Sequence, residues 1–291
     1  MTNRAEIDLS AGEWRARLAP GLGGAILDLT WREQPVFRPT PQDASDILET
    51  ACFPLVPYAN RIADGRFRFG GRDVSLPVLP RFAPHALHGD GWLNAWRVAA
   101  QDAHSATMSL DWTGEEGGWP WPWRAEQLVR LTDRGLQIEL SVINTGDSVM
   151  PAGLGLHPYF YRGADARLTL AATGVWLTDA REIPDRLAQS SSLIDWSKGA
   201  ALADAPFVDY AYAGWNGEAS IEGDAGRFVM KASPNAGWAH VYAPLGEAFF
   251  CVEPVTHRPD AVHALADEQT GLVELAPGQR LAMSMWLSQA A

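Results

Sequence analysis

The chain has 291 residues, 47 % of them hydrophobic, and its 23 basic and 35 acidic side chains leave a formal net charge of −12. That acidity argues against a nucleic-acid backbone or an anionic membrane surface as the main partner, and no apolar run approaches the ~18 residues of a membrane span. Two cysteines, Cys52 and Cys251, lie inside apolar runs and read as buried reduced thiols, while Arg4, Glu6 and Asp8 occupy the stretch where a signal peptide needs its apolar segment. The expectation is a cytoplasmic protein with one domain over residues 1–291.

Residues 5–37 alternate apolar and polar side chains in short bursts broken by Gly and Pro, as short antiparallel strands with tight turns do. Residues 38–50, with Pro39, Pro41, Asp43 and Asp46, read as a loop. A buried run follows and ends at Pro57-Tyr58-Ala59-Asn60-Arg61. In the stretch from Gly65 to Arg72 the apolar residues Phe67 and Phe69 stand two apart, and Gly70-Gly71 signals a hairpin. Residues 77–91 hold many Pro, His and Gly with little period, an irregular loop of the kind that often carries a site. Trp119-Pro120-Trp121-Pro122-Trp123 is either hydrophobic packing ahead of a strand or a stacking ledge for a sugar, packing being the preferred reading. The clearest strand pair spans 124–144, where Leu136, Ile138, Leu140 and Val142 alternate with Gln137, Glu139 and Ser141 after an Asp133-Arg134-Gly135 turn. Runs at 168–178, 219–232, 238–243, 248–255 and 272–288 repeat the pattern. Pro259 to Leu265 is read as a short helical piece. Many short strands with Gly/Pro turns predict an all-β fold, a large antiparallel β-sandwich or barrel.

Two stretches share one grammar. His157, closing the small-residue run Met150-Pro151-Ala152-Gly153-Leu154-Gly155-Leu156, and Glu253, in Phe249-Phe250-Cys251-Val252-Glu253-Pro254, each precede a proline. A following proline holds the backbone extended. An acid and an imidazole on stiff scaffolds are what general acid–base chemistry requires. From periodicity alone His157 is equally a core histidine bonded to backbone. Glu253 is costly to bury unpaired; it either turns to water or lines a cavity, and the cavity is preferred. Apolar surroundings there raise a carboxyl pKa towards that of a working base. His85, His88 and Asp90 have a spacing that a metal tolerates, but without an adjacent ligand cluster hydrogen bonding to a polar ligand is the better use. Asn60-Arg61 ends a buried run in a fork of donors, and Asp209 sits among Phe207, Val208 and Tyr210; alone, each suits a surface pair as well as a site. There is no P-loop, no dinucleotide-binding glycine motif and no G-x-S-x-G elbow.

Taken together, Asn60-Arg61, Leu87-His88-Gly89, Leu156-His157-Pro158-Tyr159-Phe160 and Val252-Glu253-Pro254 resemble, in order and setting, the aldose 1-epimerase (galactose mutarotase-like) family, over about residues 10–288. The resemblance implies a large antiparallel β-sandwich with an open sugar-binding cleft. It implies a cofactor-independent isomerase that interconverts the α and β anomers of an aldose, with no metal. By the same match His157 is the general acid, Glu253 the general base, and His88 acts near the ring oxygen. Asn60, Arg61, Tyr159 and Asp209 contact the sugar. Two departures fall in one loop: Asp90-Gly91-Trp92 follows Gly89 where the family often has a second glycine, and His85 stands where it often has Asn. The expected partner is a small-molecule sugar, with no nucleic acid and no membrane, and the chain a monomer or homodimer. One rival is a mutarotase for a phosphorylated or sulfonated sugar, using Arg66, Arg68, Arg72 and Arg81 beside Arg61 as an anion site. The others are a non-catalytic carbohydrate-binding protein and a glycoside hydrolase, into which Glu253 and Asp209 would have to be forced.

Overall fold

Alternating side chains make antiparallel strands wherever one sheet face is buried, and this chain does so along most of its length. The computed structural model describes residues 5–114, 117–264 and 269–290. A nine-stranded sheet runs, in spatial order, through Arg97–Gln101, Ser105–Trp112, Trp123–Thr132, Gly135–Asn144, Arg280–Gln289, Gly226–Ala232, Glu218–Gly223, Arg167–Leu170 and Ala200–Ala201. An eight-stranded sheet faces it: Pro184–Gln189, Gly174–Thr178, Val208–Ala213, Trp238–Ala243, Phe249–Val255, Gly155–Leu156 and Pro54–Leu55, with Tyr159–Tyr161 also pairing with Phe249–Val255. The N-terminal residues form a four-stranded sheet from Ile7–Ala11 to Gln34–Pro35.

The predicted hairpin at 124–144 is present, with Ile138 opposite Val129 and Thr132 opposite Gly135, and Leu136, Ile138, Leu140 and Val142 all buried. Those side chains meet Val241, Phe250 and Val252 of the eight-stranded sheet in the main apolar core. The Phe249–Val255 strand is buried on both faces, which is why its sequence reads as an unbroken apolar run. Its other face joins a second cluster with Phe53, Trp92, Tyr159, Cys251 and Val255, covered by the chain around residues 25, 47, 59 and 92. Glu253 lies on this second face by alternation with Cys251 and Val255.

Several expectations are refined. The run at 168–178 holds two strands in different sheets, Arg167–Leu170 and Gly174–Thr178. The helical piece expected at 259–265 is one 3-10 turn, Ala261–His263, and residue 265 lies outside the described residues. The irregular loop at 77–91 contains a short strand, Ala86–Leu87, paired with Arg61–Ile62, which draws His88 beside Asn60. Trp119, Trp121 and Trp123 are buried against Tyr58, Phe67, Phe69 and Trp112, so packing, and not a sugar ledge, is their role. Among the described residues no helix is long and apolar enough to cross a membrane.

Gly135 closes the central hairpin at φ 145°, and a Cβ there would meet the Leu287 carbonyl oxygen at 1.9 Å. Gly135→Ala is expected to lower unfolding free energy by at least about 1–3 kcal/mol, the scale of backbone strain of this kind. Gly223→Ala, whose methyl meets nothing within 4 Å, is expected to leave stability unchanged; denaturant midpoints of the two variants check this.

Candidate active site

Strand register assembles the site. Trp238 pairs with Val255 and His240 with Glu253, so His240 flanks Glu253 on one side. On the other side Gly155 pairs with Val255 and Tyr159 with Cys251; continuing that register places His157 opposite Glu253. The result is a cross-strand row, His240, Glu253, His157, on one sheet face, at the spacing where opposing side chains interact. The small-residue run before His157 is what allows the close approach. A Cβ on Gly153 would meet the His257 ring at 1.8 Å, and one on Gly155 would meet Val255 at 2.7 Å. The His157 amide donates to the Phe53 carbonyl at 3.0 Å, and its ring stacks between Phe53 at 4.7 Å and Tyr159 at 4.6 Å.

His157 Nε2 lies 3.3 Å from Glu253 Oε1, with side-chain exposures of 8 % and 3 %. Burial raises the Glu253 carboxyl to about 8, against the opposing pull of His240. Burial likewise lowers His157 to about 3, helped by the nearby charges of His240 and Arg38. The proton of this pair therefore rests on Glu253, with His157 neutral. His88 meets His157 edge-on, ring centres 5.4 Å apart. Its Nδ1 accepts the Asn60 amide at 3.0 Å, which leaves the hydrogen of the neutral ring on Nε2. Burial holds His88 well below the ordinary imidazole value, and a proton on neighbouring His157 would hold it lower still.

A second group adjoins the row. His240 Nε2 donates to Asp209 Oδ1 at 2.6 Å, and Arg61 Nη2 stands 3.5 Å from Asp209 Oδ2 and 2.7 Å from Glu182 Oε2. Burial opposes charge on His240 and Asp209, yet their mutual bond raises the imidazole above its ordinary value and lowers the carboxylate. Asn60 Nδ2 approaches His240 Nδ1 at 3.4 Å, and its own Oδ1 accepts the Arg61 amide. A narrow recess opens between these groups, lined by Asn60, Arg61, Trp176, Glu182, Asp209 and His240 with their neighbours. Donors and acceptors in this density suit a ligand rich in hydroxyls.

Seven residues singled out from sequence thus converge: His157, Glu253 and His88 in one contact group, Asn60, Arg61 and Asp209 in the next, with Tyr159 beneath His157. Tyr159 is held between His157 and the Arg38 guanidinium, 3.6 Å from its ring, and acts as a wall for the imidazole. His85 is used inside the protein, its Nδ1 accepting the Asp64 amide at 3.0 Å and its Nε2 donating to the Arg181 carbonyl at 2.7 Å. Asp90 accepts the Trp119 amide at 2.9 Å. His85, His88 and Asp90 therefore form no metal cluster. The supposed anion site does not assemble either: Arg81 bonds Asp46, Arg68 faces Asp73 at 3.9 Å, Arg72 donates to the Pro120 carbonyl at 3.1 Å, and Arg66 borders a separate hollow with Asp64 and His263. Sequence reasoning missed His240, Glu182 and His257. His240 had a signal, a polar residue between Ala239 and Val241 in a short apolar strand. His257 holds the Asn60 segment in place, accepting the Ala59 amide at 3.0 Å.

The family model described as aldose 1-epimerase matches residues 7–288. An uncharacterised protein of Escherichia coli, YphB, is 33 % identical over 278 residues, covering 91 % of this chain and 92 % of that protein. The crystal structure of a putative aldose 1-epimerase from E. coli K12 superposes with a TM-score of 0.88 at 30 % identity, covering 98 % of this chain and 99 % of that one. The GalM/aldose epimerase homologue from Caenorhabditis elegans superposes with a TM-score of 0.82 at 18 % identity, covering 99 % and 100 %, and shows the shared fold. The chain belongs to the aldose 1-epimerase family.

Proposed function

We propose that the protein is a mutarotase that interconverts the anomers of a neutral aldose by acid–base ring opening. The observation that carries this reading is the 3.3 Å contact between a buried imidazole and a buried carboxyl beside a recess lined by Arg61, Asn60, Asp209 and His240. A cyclic aldose is a hemiacetal. Opening it removes a proton from the anomeric hydroxyl and delivers one to the ring oxygen. Glu253 is the base and His157 the acid; His88 and its Nε2–H support the ring oxygen. Arg61, Asn60 and Asp209 hold the hydroxyls. Rotation about the C1–C2 bond and closure with the roles exchanged yields the other anomer.

The pair needs one proton in total. It rests on Glu253, and moving it across the contact gives the working form, imidazolium and carboxylate, with the same total of one proton. A sugar hydroxyl donating to Glu253 favours the carboxylate, as hydrogen bonding to a charged form does. A proton on His240, which Asp209 favours, stabilises the carboxylate and opposes the imidazolium. Arg61 is engaged by two carboxylates, Asp209 and Glu182. This pairing supports a neutral substrate over a phosphorylated or sulfonated one, and the touching acid and base support catalysis over binding alone.

Three outcomes are expected. Glu253→Gln, isosteric but unable to accept a proton, lowers kcat by about 10²–10⁴-fold in polarimetry of freshly dissolved α-sugars, with the circular dichroism spectrum unchanged. The kcat/KM profile falls on the alkaline side as the pair loses its single proton near pH 8, and on the acid side only as His157 gains a second near pH 3. An acid limb at the ordinary imidazole value of about 6.5 would contradict this. Finally, a neutral hexose turns over faster than its 6-phosphate, measured by exchange NMR under matched conditions.

A further inference from the structure

The reaction leaves one nucleophilic group of this sheet face unused. Cys251 is wholly buried on the Phe249–Val255 strand, two residues before Glu253, so both side chains point to the same side. Register places Tyr159 opposite Cys251 and His157 opposite Glu253. The ligating atoms of His157, Cys251 and Glu253 all lie within 4.8 Å of one another, and all three side chains are buried. We infer that these three side chains form a binding site for a thiophilic divalent cation, Zn²⁺ or Cd²⁺, which shuts off the acid–base pair when occupied.

The spacing supports the assignment. A tetrahedral zinc holds nitrogen and oxygen ligands at about 2.0–2.2 Å, which sets those two atoms about 3.3–3.5 Å apart. His157 Nε2 and Glu253 Oε1 already stand at 3.3 Å. Only the sulfur has to move inward, by about 1 Å at most, to reach its own bond length of about 2.3 Å. One imidazole, one thiolate and one carboxylate leave a fourth position open, and a soft sulfur donor selects Zn²⁺ or Cd²⁺ over Mg²⁺ or Ca²⁺. Arg38, the nearby cation stacked on Tyr159, directs its guanidinium to the Thr50 carbonyl at 2.8 and 3.0 Å and so does not occupy the site. On binding, the thiol and carboxyl protons leave to solvent and the metal takes the lone pairs. Those of Nε2 and the carboxylate are the ones that ring opening uses. The inhibition rests on the proposed mutarotase reading; the binding does not.

The test is a Cd²⁺ titration of the metal-free protein, followed by the ultraviolet charge-transfer band of a thiolate–cadmium bond, with mutarotation recorded in parallel. The expected result is a band saturating at one Cd²⁺ per chain, displaced by Zn²⁺, and accompanied by loss of activity. Cys251→Ser removes the band and keeps its activity in the presence of Cd²⁺; Cys251→Ala serves if serine is not tolerated in the apolar cluster. Cys52→Ser, altering the other buried thiol, keeps both the band and the inhibition. Absence of the band in the wild type, its survival in the Cys251 variants, or its loss in Cys52→Ser overturns the inference. A band in a protein with no mutarotation overturns the proposed function and leaves the metal site standing; full mutarotation with no band does the reverse.

Discussion

An imidazole and a carboxyl group touch inside an apolar sheet face, and the rest of the site is arranged around that contact. Neither His157 nor Glu253 is cheap to bury alone, because a desolvated charge without a partner is strongly unfavourable. Together they need only one proton. The neutral arrangement, with the proton on Glu253, suits dry apolar surroundings, and the charge-separated arrangement suits contact with a polar ligand. A positive charge on His240 favours the carboxylate and disfavours the imidazolium. Asp209 favours a proton on His240 and is itself held by Arg61. Six ionisable groups are thus chained, from Glu182 at the protein surface through Arg61, Asp209 and His240 to the buried pair.

The scaffold explains why the pair stays in place. The Phe249–Val255 strand is covered on both faces, and its neighbours fix Glu253 between His240 and His157 by backbone register alone. Glycines at 153 and 155 let the His157 segment lie against the His257 ring and the Val255 side chain, where any larger residue would push it away. Phe53 and Tyr159 then clamp the imidazole by stacking, and Arg38 backs Tyr159. The Arg61 and Glu253 sides respond differently to solvent: side chains of Arg61 and Asp209 are 16 % and 21 % exposed, while the acid–base pair is nearly dry.

Much of this was legible in the residues, for local reasons. Period-two alternation marks the hairpin at 124–144, and the pre-proline positions of His157 and Glu253 mark rigid placement whatever the fold. The family resemblance then joins Asn60, Arg61, His88, Tyr159 and Asp209 into one set. What stayed hidden depends on pairing between distant strands. His240 becomes important only because it falls opposite Glu253, and no local pattern states that register. Cys251 reads as an ordinary core thiol until Tyr159 is seen across from it. Glu182 belongs to a turn after Gly174–Thr178, and its bond to Arg61 spans more than a hundred residues. The anion-site reading of the arginines failed because it rested on chain proximity: Arg66, Arg68 and Arg72 share one hairpin, yet Arg68 faces Asp73 and Arg72 turns to the Pro120 carbonyl.

The central physical claim is that the buried pair holds a single proton and that, without substrate, Glu253 carries it. Infrared difference spectroscopy of the ligand-free protein across pH tests this directly, through the carbonyl stretch of a protonated carboxylic acid shielded from water. The account predicts such a band at neutral pH, absent in Glu253→Gln and fading as pH rises through about 8. No protonated carboxyl band at neutral pH, or one that persists in Glu253→Gln, would contradict it.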